Sequence, residues 1–378
     1  MEKQIKIQPL DRTKKSDVLR FLKFAYKIYK DNLNWVAPLL VDAAKVFSDT
    51  NPLFQHAKMQ IWLATIDGKE VGRIAGIIDH THQSIHQDGA AFFGYYECID
   101  DYDVTQKLFE TVQQWAKENG AKRLLGPMNP TTNDECGLLV EGFDSPPIIM
   151  MTYNPQYYID LIEKAGFTKA KDLLAFFVDV PKCPLDKLGM LAERVCKRNP
   201  ELVFRPVKRA TLNEDLDRIK KVYNSAWQKN WGFVPMTDAE MDFMASRLKP
   251  LFCEGLVWLT EANKEPVGFL LAIPDYNQAF IKLKGRLFTP KILGFIPYLL
   301  KWKIPDGCRV ITLGVMEKYR NRGLEAAMLW EGFKVGIGMG INKAEASWIL
   351  EDNVQMCRVM EYFGGVVYKR YRIYEKAL

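Results

Sequence analysis

Apolar residues along the chain follow two spacings, one typical of strands and one typical of amphipathic helices. Residues 5–10 form a predicted strand, and the apolar residues of 14–30 recur at helical spacing. Two more predicted strands, 59–65 and 70–78, flank Asp67-Gly68, a dipeptide that favours a tight hairpin turn. The next predicted elements are a strand (91–98), a helix (104–117), a strand (123–126), a helix (157–164) and a strand (173–180). The pattern predicts an α+β fold in three layers, in which helices flank a mixed, mostly antiparallel sheet.

The second half of the chain repeats this order of elements. Its predicted elements are a strand (203–207), a helix (214–227), a hairpin (256–260 and 267–273), a strand (311–315), a helix that starts at 325, a strand (344–349), a helix (354–362) and a strand (366–374). The letters repeat too, because Trp62-Leu63 and Val71-Gly72 return as Trp258-Leu259 and Val267-Gly268, at one offset of 196 (258 minus 62). Shared order and shared letters at one offset indicate a duplicated domain.

Composition sets the domain boundary and the class of protein. Pro, Lys and Arg interrupt the apolar pattern near 181–200, so the predicted domains are 1–185 and 200–378. A net charge of +6 suits an anionic cofactor and does not require nucleic acid. The seven cysteines stand singly, which argues for a reducing compartment and against structural zinc. There is no signal core and no apolar run near the roughly 20 residues of a membrane span, so a cytoplasmic protein is expected.

The stretch from Ile311 to Glu331 contains the clearest candidate for chemistry. A short apolar strand ends at Val315, and a helical pattern follows the polar turn 319–323, Tyr-Arg-Asn-Arg-Gly. A Gly-containing basic turn that opens a helix presents free backbone N–H groups and the positive end of a helix dipole to one anion. The two arginines add charge that reaches a diphosphate. A plain strand–turn–helix with a solvated basic turn is the alternative.

This stretch resembles the acyl-CoA pyrophosphate loop of the GNAT superfamily of N-acyltransferases. The family pattern is a strand-end Val, then Arg/Gln-x-x-Gly-x-Gly/Ala at the start of a helix, and Val315, Arg320 and Gly323 match it. The order of elements in each half also resembles the GNAT fold, so the resemblance implies two tandem GNAT-like domains. It implies acetyl-CoA or another acyl-CoA as co-substrate, without a metal. The residues it places around that co-substrate are Val315, Arg320, Asn321, Arg322, Gly323, Leu324 and Asn353.

Two departures from the family pattern limit the expectation. Glu325 stands where the family usually has Gly or Ala, and its carboxylate opposes the phosphates unless it points away. The first copy lacks the basic turn, and Asp100, Asp101 and Asp103 crowd its helix N-terminus, where they satisfy the dipole themselves and repel a diphosphate. The second copy alone is therefore expected to bind CoA. The first copy either completes the substrate site or serves as scaffold.

Acyl transfer to an amine needs a base, and the departing thiolate needs an acid. Glu345 and Glu351 lie on or just after the fifth strand of the second copy and are the candidate bases; Glu351 and Asp352 alternatively cap the helix that Asn353 opens. The family's acid Tyr aligns with Met360 or Glu361, so Tyr362 is either the acid or a core or groove aromatic. Backbone N–H donation at Val315 is expected to polarise the thioester carbonyl.

Three other regions add to the predicted site. The 126–153 loop is long enough to be functional, and its Asn133, Asp134 and Glu135, together with Trp348, are candidates for the substrate groove. His80, His82 and His86 alternate in a way that permits a metal site, but we favour solvated side chains at a hairpin end, without metal.

The apolar stretch 286–303 has basic flanks and is inserted on the approach to the thioester. It is either a helical insertion that packs against the core, which we favour, or a segment that contacts a membrane surface or shields a long acyl chain. The expected function is acyl transfer, most simply of acetyl, from acyl-CoA to a small primary amine. The alternatives are long-chain transfer to a lipid amine such as a sphingoid base, and a non-catalytic binding protein. No nucleic-acid partner is expected.

Overall fold

The computed structural model of the protein describes residues 4–286, 290–300 and 302–378. The strands are β1 (Ile5–Leu10), β2 (Ala57–Ile66), β3 (Lys69–Asp79), β4 (Ala90–Cys98), β5 (Arg123–Gly126), β6 (Met128–Asn129), β7 (Glu135–Cys136), β8 (Leu138–Glu141), β9 (Thr168–Asp179), β10 (Leu202–Pro206), β11 (Val257–Ala262), β12 (Glu265–Pro274), β13 (Gly307–Val315), β14 (Lys343–Leu350) and β15 (Val366–Ala377). The α-helices are α1 (Lys15–Ile28), α2 (Leu40–Lys45), α3 (His80–His86), α4 (Tyr102–Glu118), α5 (Tyr158–Lys164), α6 (Leu185–Arg198), α7 (Leu212–Ala226), α8 (Asp238–Leu248), α9 (Asn277–Leu283), α10 (Ile296–Leu299), α11 (Leu324–Gly338) and α12 (Val354–Tyr362).

The chain forms two compact units. Unit 1 comprises Met1–Leu173, Phe280–Ile292 and Lys369–Leu378, and unit 2 comprises Leu174–Ala279 and Leu293–Tyr368. The last ten residues of the chain therefore belong to the same unit as its first half.

Unit 1 is a mixed sheet in the order β1-β2-β3-β4-β5-β15, with β8 also paired to β15. Only the β4–β5 pair is parallel among these. The predicted hairpin is present, since Asp67 and Gly68 both have positive φ (48° and 74°), as the turn requires. Helix α4 buries Val104, Leu108 and Val112 in the core of the unit.

Unit 2 repeats that architecture with strands β10-β11-β12-β13-β14, of which only β13 and β14 are parallel. Helix α11 covers one face of the sheet, where Leu324, Met328 and Phe333 are buried. Helix α7 covers the other face through Val222 and Ala226. The repeated sheet with its flanking helices confirms the predicted fold class.

The segment near 181–200 contains a helix that the sequence analysis took for a break. Helix α6 runs through it, and its buried residues Leu188, Ala192 and Val195 follow helical spacing. The residues that suggested an interruption lie at its ends, because Pro184 precedes the first turn and Lys197 and Arg198 are in the last. Helix α6 packs on α11, where Gly189 lies against Trp330.

No helix in the described parts of the chain is both long and apolar enough to cross a bilayer. The predicted insert 286–303 is described only in part, since 287–289 and 301 lie outside the described residues. Its described part contains α10.

Candidate active site

Strands β13 and β14 pair at one end and separate at the other. Their parallel register runs from Gly307–Lys343 to Val310–Ala346 and stops there, although β13 continues to Val315 and β14 to Leu350. A bulge at Ile311 marks the point of separation, because β12 pairs with Val310 and then with Thr312. The result is an opening between the strands. Its apex lies at Val310, and its mouth, at Val315, is roughly 17 Å away at ~3.3 Å per residue.

The backbone of β13 presents hydrogen-bond donors to this opening. The Met316 N–H donates to the Val267 carbonyl of β12 at 2.8 Å. Because alternate residues of a strand point to opposite edges, the N–H groups of Val315 and Leu313 face away from β12, on the side where β14 has separated. The opening is therefore lined by amides of the kind that polarise a carbonyl.

The turn that follows Val315 exposes more backbone amides. Asn321 and Gly323 both have left-handed backbone conformations (φ 60° and 81°), and α11 begins at Leu324. Among the described residues, no acceptor takes the N–H groups of residues 321–324 or of Ala326. Successive unpartnered amides at the N-terminus of a 15-residue helix are an arrangement that suits an anion.

The two arginines of this turn are bonded within the protein. Arg320 donates through Nε to the Val315 carbonyl at 3.2 Å and through Nη2 to the Ala226 carbonyl. Arg322 lies 3.3 Å from Glu201 and over the ring of Tyr319. Both side chains hold the turn in shape, so the groups most directly open to an anion are the backbone amides. Phosphate contact by the arginines stays a prediction.

Gly323 is required by geometry as well as by conformation. A Cβ at this position would lie 2.8 Å from Cγ2 of Val195 on α6, closer than real contacts allow. Helix α6 therefore packs directly on the turn, and only glycine fits beneath it. Asn321 and Arg322 remain exposed beside this contact, so the turn is not covered by the helix.

Glu325, the departure from the family pattern, lies half-buried in the first turn of α11. Burial raises the pKa of its carboxyl, although nearby Arg320 opposes the shift. A raised pKa favours the neutral form, which repels a phosphate less than a carboxylate does.

Helix α12 begins after Asn353, as expected, and ends at Tyr362. Asn353 caps the helix, since its side chain accepts from the Met356 N–H at 3.2 Å, so the capping role considered for Glu351 and Asp352 belongs to Asn353 instead. Tyr362 ends the helix and is 49% exposed. It stands about 200° around the helix from buried Met360, at 100° per residue, and so faces away from the core.

Glu345 belongs to a buried polar group near the apex of the opening. It pairs in register with Arg309, and both side chains are almost fully buried on the α7 face of the sheet. Tyr368 donates a hydrogen bond to Glu345 Oε2. Arg309 donates from Nε to Ser347 Oγ at 3.0 Å, so cation, carboxylate and two hydroxyls are grouped here. Thr312 adds a buried hydroxyl without a partner in the described structure. Sequence reasoning named Glu345 but missed the other four, because no motif links them and three of them, Arg309, Thr312 and Tyr368, are more than 20 positions from Glu345 in the chain.

Unit 1 fills the equivalent opening with its own side chains. There Ile99 N–H donates to the Val71 carbonyl at 3.0 Å, so Cys98 corresponds to Val315. The Cys98 N–H is taken by the Tyr158 hydroxyl at 2.9 Å, and the Tyr95 N–H by Asn129 Oδ1 at 2.7 Å.

The helix that follows in unit 1 is closed to an anion as well. Asp101 accepts from the first-turn amides of Asp103 and Val104 at the start of α4. The amides that unit 2 leaves open are thus occupied in unit 1.

The remaining predicted residues lie apart from this group or in other surroundings. Asn133, Asp134 and Glu135 belong to unit 1, where Thr131 binds Asp134, and their substrate role stays a prediction. Trp348 lies on β14 beyond its last pairing with β13, and Glu351 just past the end of that strand.

The three histidines lie on a helix instead of the expected hairpin end, and only His80 is exposed as expected. His80, His82 and His86 form helix α3, and His82 is buried against Asp88. The described residues contain no group of His, Cys, Asp and Glu arranged to hold a metal ion.

Comparison with known proteins gives two full-length relatives. The chain is 34% identical to Protein YghO of Escherichia coli, over 100% of this chain and 98% of that protein. It is also 34% identical to the bacterial ceramide synthase of Caulobacter vibrioides, over 96% and 95% of the two chains. The chain belongs to the family of these two proteins. No family model matches it.

The fold of this family member agrees with known tandem GNAT structures. A tandem GNAT protein from the clavulanic acid biosynthesis pathway matches with a TM-score of 0.61 over 99% of this chain and 98% of that one. The identity is 11%, so the likeness concerns the fold. The tandem GNAT architecture predicted from the repeat is confirmed, and the family member has two GNAT-type units in one chain.

Proposed function

We propose that the protein is an acyl-CoA-dependent N-acyltransferase whose acceptor is a lipid amine. The observation that carries the proposal is the opening between β13 and β14, with unpartnered amides along Val315 and around the turn at its mouth. In this arrangement the amides of residues 321–324 bind the pyrophosphate, and the pantetheine arm extends into the opening.

The direction of the opening supports one of the two candidate carboxylates as the base. The pyrophosphate is held at the mouth, so the arm runs toward the apex, and the thioester comes to lie near Val310 and Ala346. Glu345 is next to that apex, whereas Glu351 follows the far end of β14. We therefore assign the base to Glu345 and place Glu351 beside the cofactor.

The reaction then proceeds by direct transfer. Glu345 takes a proton from the ammonium or amine of the acceptor, and the nitrogen lone pair attacks the thioester carbon. The N–H of Leu313 or Val315 stabilises the oxyanion of the tetrahedral intermediate. The C–S bond breaks, the C–N amide bond remains, and the CoA thiolate takes up a proton from the acceptor nitrogen or from water.

A lipid acceptor is supported by the relative from Caulobacter vibrioides. Its name, bacterial ceramide synthase, describes the acylation of a lipid amine, and it aligns with this chain along nearly its whole length. This favours the long-chain alternative over acetyl transfer to a small amine.

Acyl-CoA binding is tested with two matched glycine variants. Gly323 and Gly340 both have positive φ (81° and 85°), at the start and just after the end of α11, but only Gly323 is crowded, by Val195. Gly323→Ala is expected to weaken acetyl-CoA binding by at least about tenfold in calorimetry, because the methyl group distorts the turn. Gly340→Ala should bind as the wild type does, with both variants folded by circular dichroism. Equal affinities in all three proteins would refute the assignment of the turn.

Turnover separates the acceptor classes. Purified protein is given palmitoyl-CoA with sphinganine, and in parallel acetyl-CoA with cadaverine, and thiol release and product mass are measured. Amide formation in the first mixture supports the proposal. Amide formation only in the second would restore the small-amine function, and acyl-CoA binding without turnover in either would favour a binding protein.

A further inference from the structure

One stretch of the chain accounts for the excess of basic over acidic residues. Residues 276–305 contain six Lys and Arg and no Asp or Glu. The whole chain has 52 basic and 46 acidic residues, so the remainder is balanced at 46 of each. The entire net charge of +6 therefore lies in these 30 residues, beside an apolar sequence.

The described part of this stretch in unit 2 also exposes large apolar side chains. Trp302 is 78% exposed, Leu293 68% and Leu300 51%, all within ten residues. We call these three residues the apolar patch. Single exposed apolar residues are ordinary, but a Trp and two Leu so close together mark an interaction surface.

The patch is held in place on unit 2. Phe295, which lies between Leu293 and Leu300 in the sequence, is buried, and its ring stacks with Tyr298. The N–H groups of Trp302 and Lys303 both donate to the Pro297 carbonyl, at 2.9 and 3.1 Å. Lys303 is exposed next to Trp302. A buried anchor with exposed Trp, Leu and Lys beside it is the arrangement found where proteins lie in the interface of a bilayer.

We propose that the apolar patch docks on an anionic lipid bilayer, with Leu293, Leu300 and Trp302 in the headgroup region and Lys303 beside them against the acidic lipids. Charge decides the occupant, because an acid-free stretch complements an anionic surface and repels a second copy of itself. The biological purpose rests on the proposed function, since docking would bring unit 2 to an amine that resides in the membrane.

Vesicle flotation tests the docking without any substrate. The full-length protein is mixed with vesicles of phosphatidylcholine and phosphatidylglycerol, or of phosphatidylcholine alone. The wild type should float with the anionic vesicles and at least about tenfold less with the neutral ones, and 0.5 M salt should release it. Failure to float with anionic vesicles overturns the proposal.

A matched pair of triple variants locates the contact. Leu293→Ser, Leu300→Ser and Trp302→Ser together should reduce flotation at least about tenfold. The control replaces Leu33, Val41 and Met190 by Ser, three apolar residues of comparable exposure elsewhere, and should float like the wild type. Equal flotation of the two variants overturns the assignment to this patch, as does a patch variant that changes only the oligomeric state.

The result is independent of catalysis. If the protein floats through the patch but forms no amide, the docking stands and the proposed function fails. If it acylates sphinganine in detergent and never floats, the docking alone fails.

Discussion

Gly323 shows how one residue of the turn meets two requirements at once. Its φ of 81° belongs to the region that favours glycine, and Val195 leaves no room for a side chain. The first requirement is readable from the sequence as a turn signal. The second is not, because Val195 is 128 positions away (323 minus 195) on a helix the sequence analysis did not find.

The base assignment gives a prediction at the residue scale. Glu345→Gln should lower kcat by about 100-fold or more, because the amide still accepts from Tyr368 but takes no proton. Acetyl-CoA affinity, measured by calorimetry, should not change. Glu351→Gln is the matched control and should keep kcat within about threefold. The reverse ranking of the two variants would move the base to Glu351.

Glu325 gives a second prediction with a pH dependence. Burial raises its pKa in the folded protein, so folding is favoured while the carboxyl is neutral and loses that contribution as pH rises through the raised value. Glu325→Gln removes the charged form. Relative to the wild type, the variant should therefore become more stable to urea as pH rises from 4.5 to 8.

The same charge is expected to weaken binding of the proposed cofactor. At pH 8, Glu325→Gln should bind acetyl-CoA about threefold to fivefold more tightly, since one carboxylate near a helix N-terminal anion is gone. The advantage should shrink toward pH 5. An affinity ratio that stays at one across this range contradicts a position near the phosphates.

At the scale of elements, the equivalent strand pairs of the two units differ in what lies between the strands where they separate. Both β4–β5 and β13–β14 pair for a few residues and then separate. In unit 1, a Cβ at Gly94 would strike the Met128 carbonyl, so the backbone of β6 itself occupies the opening. In unit 2, the corresponding amides have no partner in the described structure.

Tyr158 provides the test of this difference. Its hydroxyl donates to Glu97 and accepts from Cys98 N–H, and the residue is fully buried. Tyr158→Phe should lower the free energy of unfolding by about 1–3 kcal/mol, since a buried carboxyl and a buried amide each lose a partner. Tyr102→Phe is the control, because its hydroxyl reaches Lys164 at the surface, and it should cost less than about 0.5 kcal/mol. If both variants lose a similar free energy of unfolding in urea, the hydrogen bonds of Tyr158 contribute little to the stability of unit 1.

At the scale of the whole molecule, the chain ends in the unit in which it begins. Tyr374 pairs with Gly126, and Arg372 bonds Asp172 at 2.8 Å. The predicted boundaries of 1–185 and 200–378 follow the sequence repeat. In the folded chain, the last segment, Lys369–Leu378, belongs to unit 1.

A fragment experiment tests whether unit 1 needs this last segment to fold stably. Residues 1–185 alone lack the strand that pairs with β5 and β8, and should be digested at least about tenfold faster than the same residues joined by a flexible linker to 366–378. A linker fusion in which Tyr371, Ile373 and Tyr374 are replaced by Ser is the control, and should behave like the bare fragment. Equal resistance of the bare fragment would show that unit 1 folds without the last strand.

The sequence by itself determined the elements, their duplication and the turn, because these depend on residues that are near in the chain. The spacing of apolar positions predicted the longer strands and half of the described α-helices, Asp67-Gly68 predicted a hairpin, and Gly323 marked the turn. Within the site, it found the Val315 strand end and Glu345. It missed α6 as well as α2, α3, α8 and α9, and it considered Glu351 and Asp352 as alternative caps of α12, where Asn353 serves.

Only the tertiary structure decided which opening is free, which charges are already bonded and which unit receives the last strand. Arg320 and Arg322 appear available in the sequence, but each binds a group from a distant position, the Ala226 carbonyl for Arg320 and the Glu201 carboxylate for Arg322. Likewise, Arg309, Ser347 and Tyr368 join Glu345 through register between strands and by packing. The physical reason is that local pattern fixes how a segment folds, whereas access, pairing and burial depend on what the rest of the chain brings beside it.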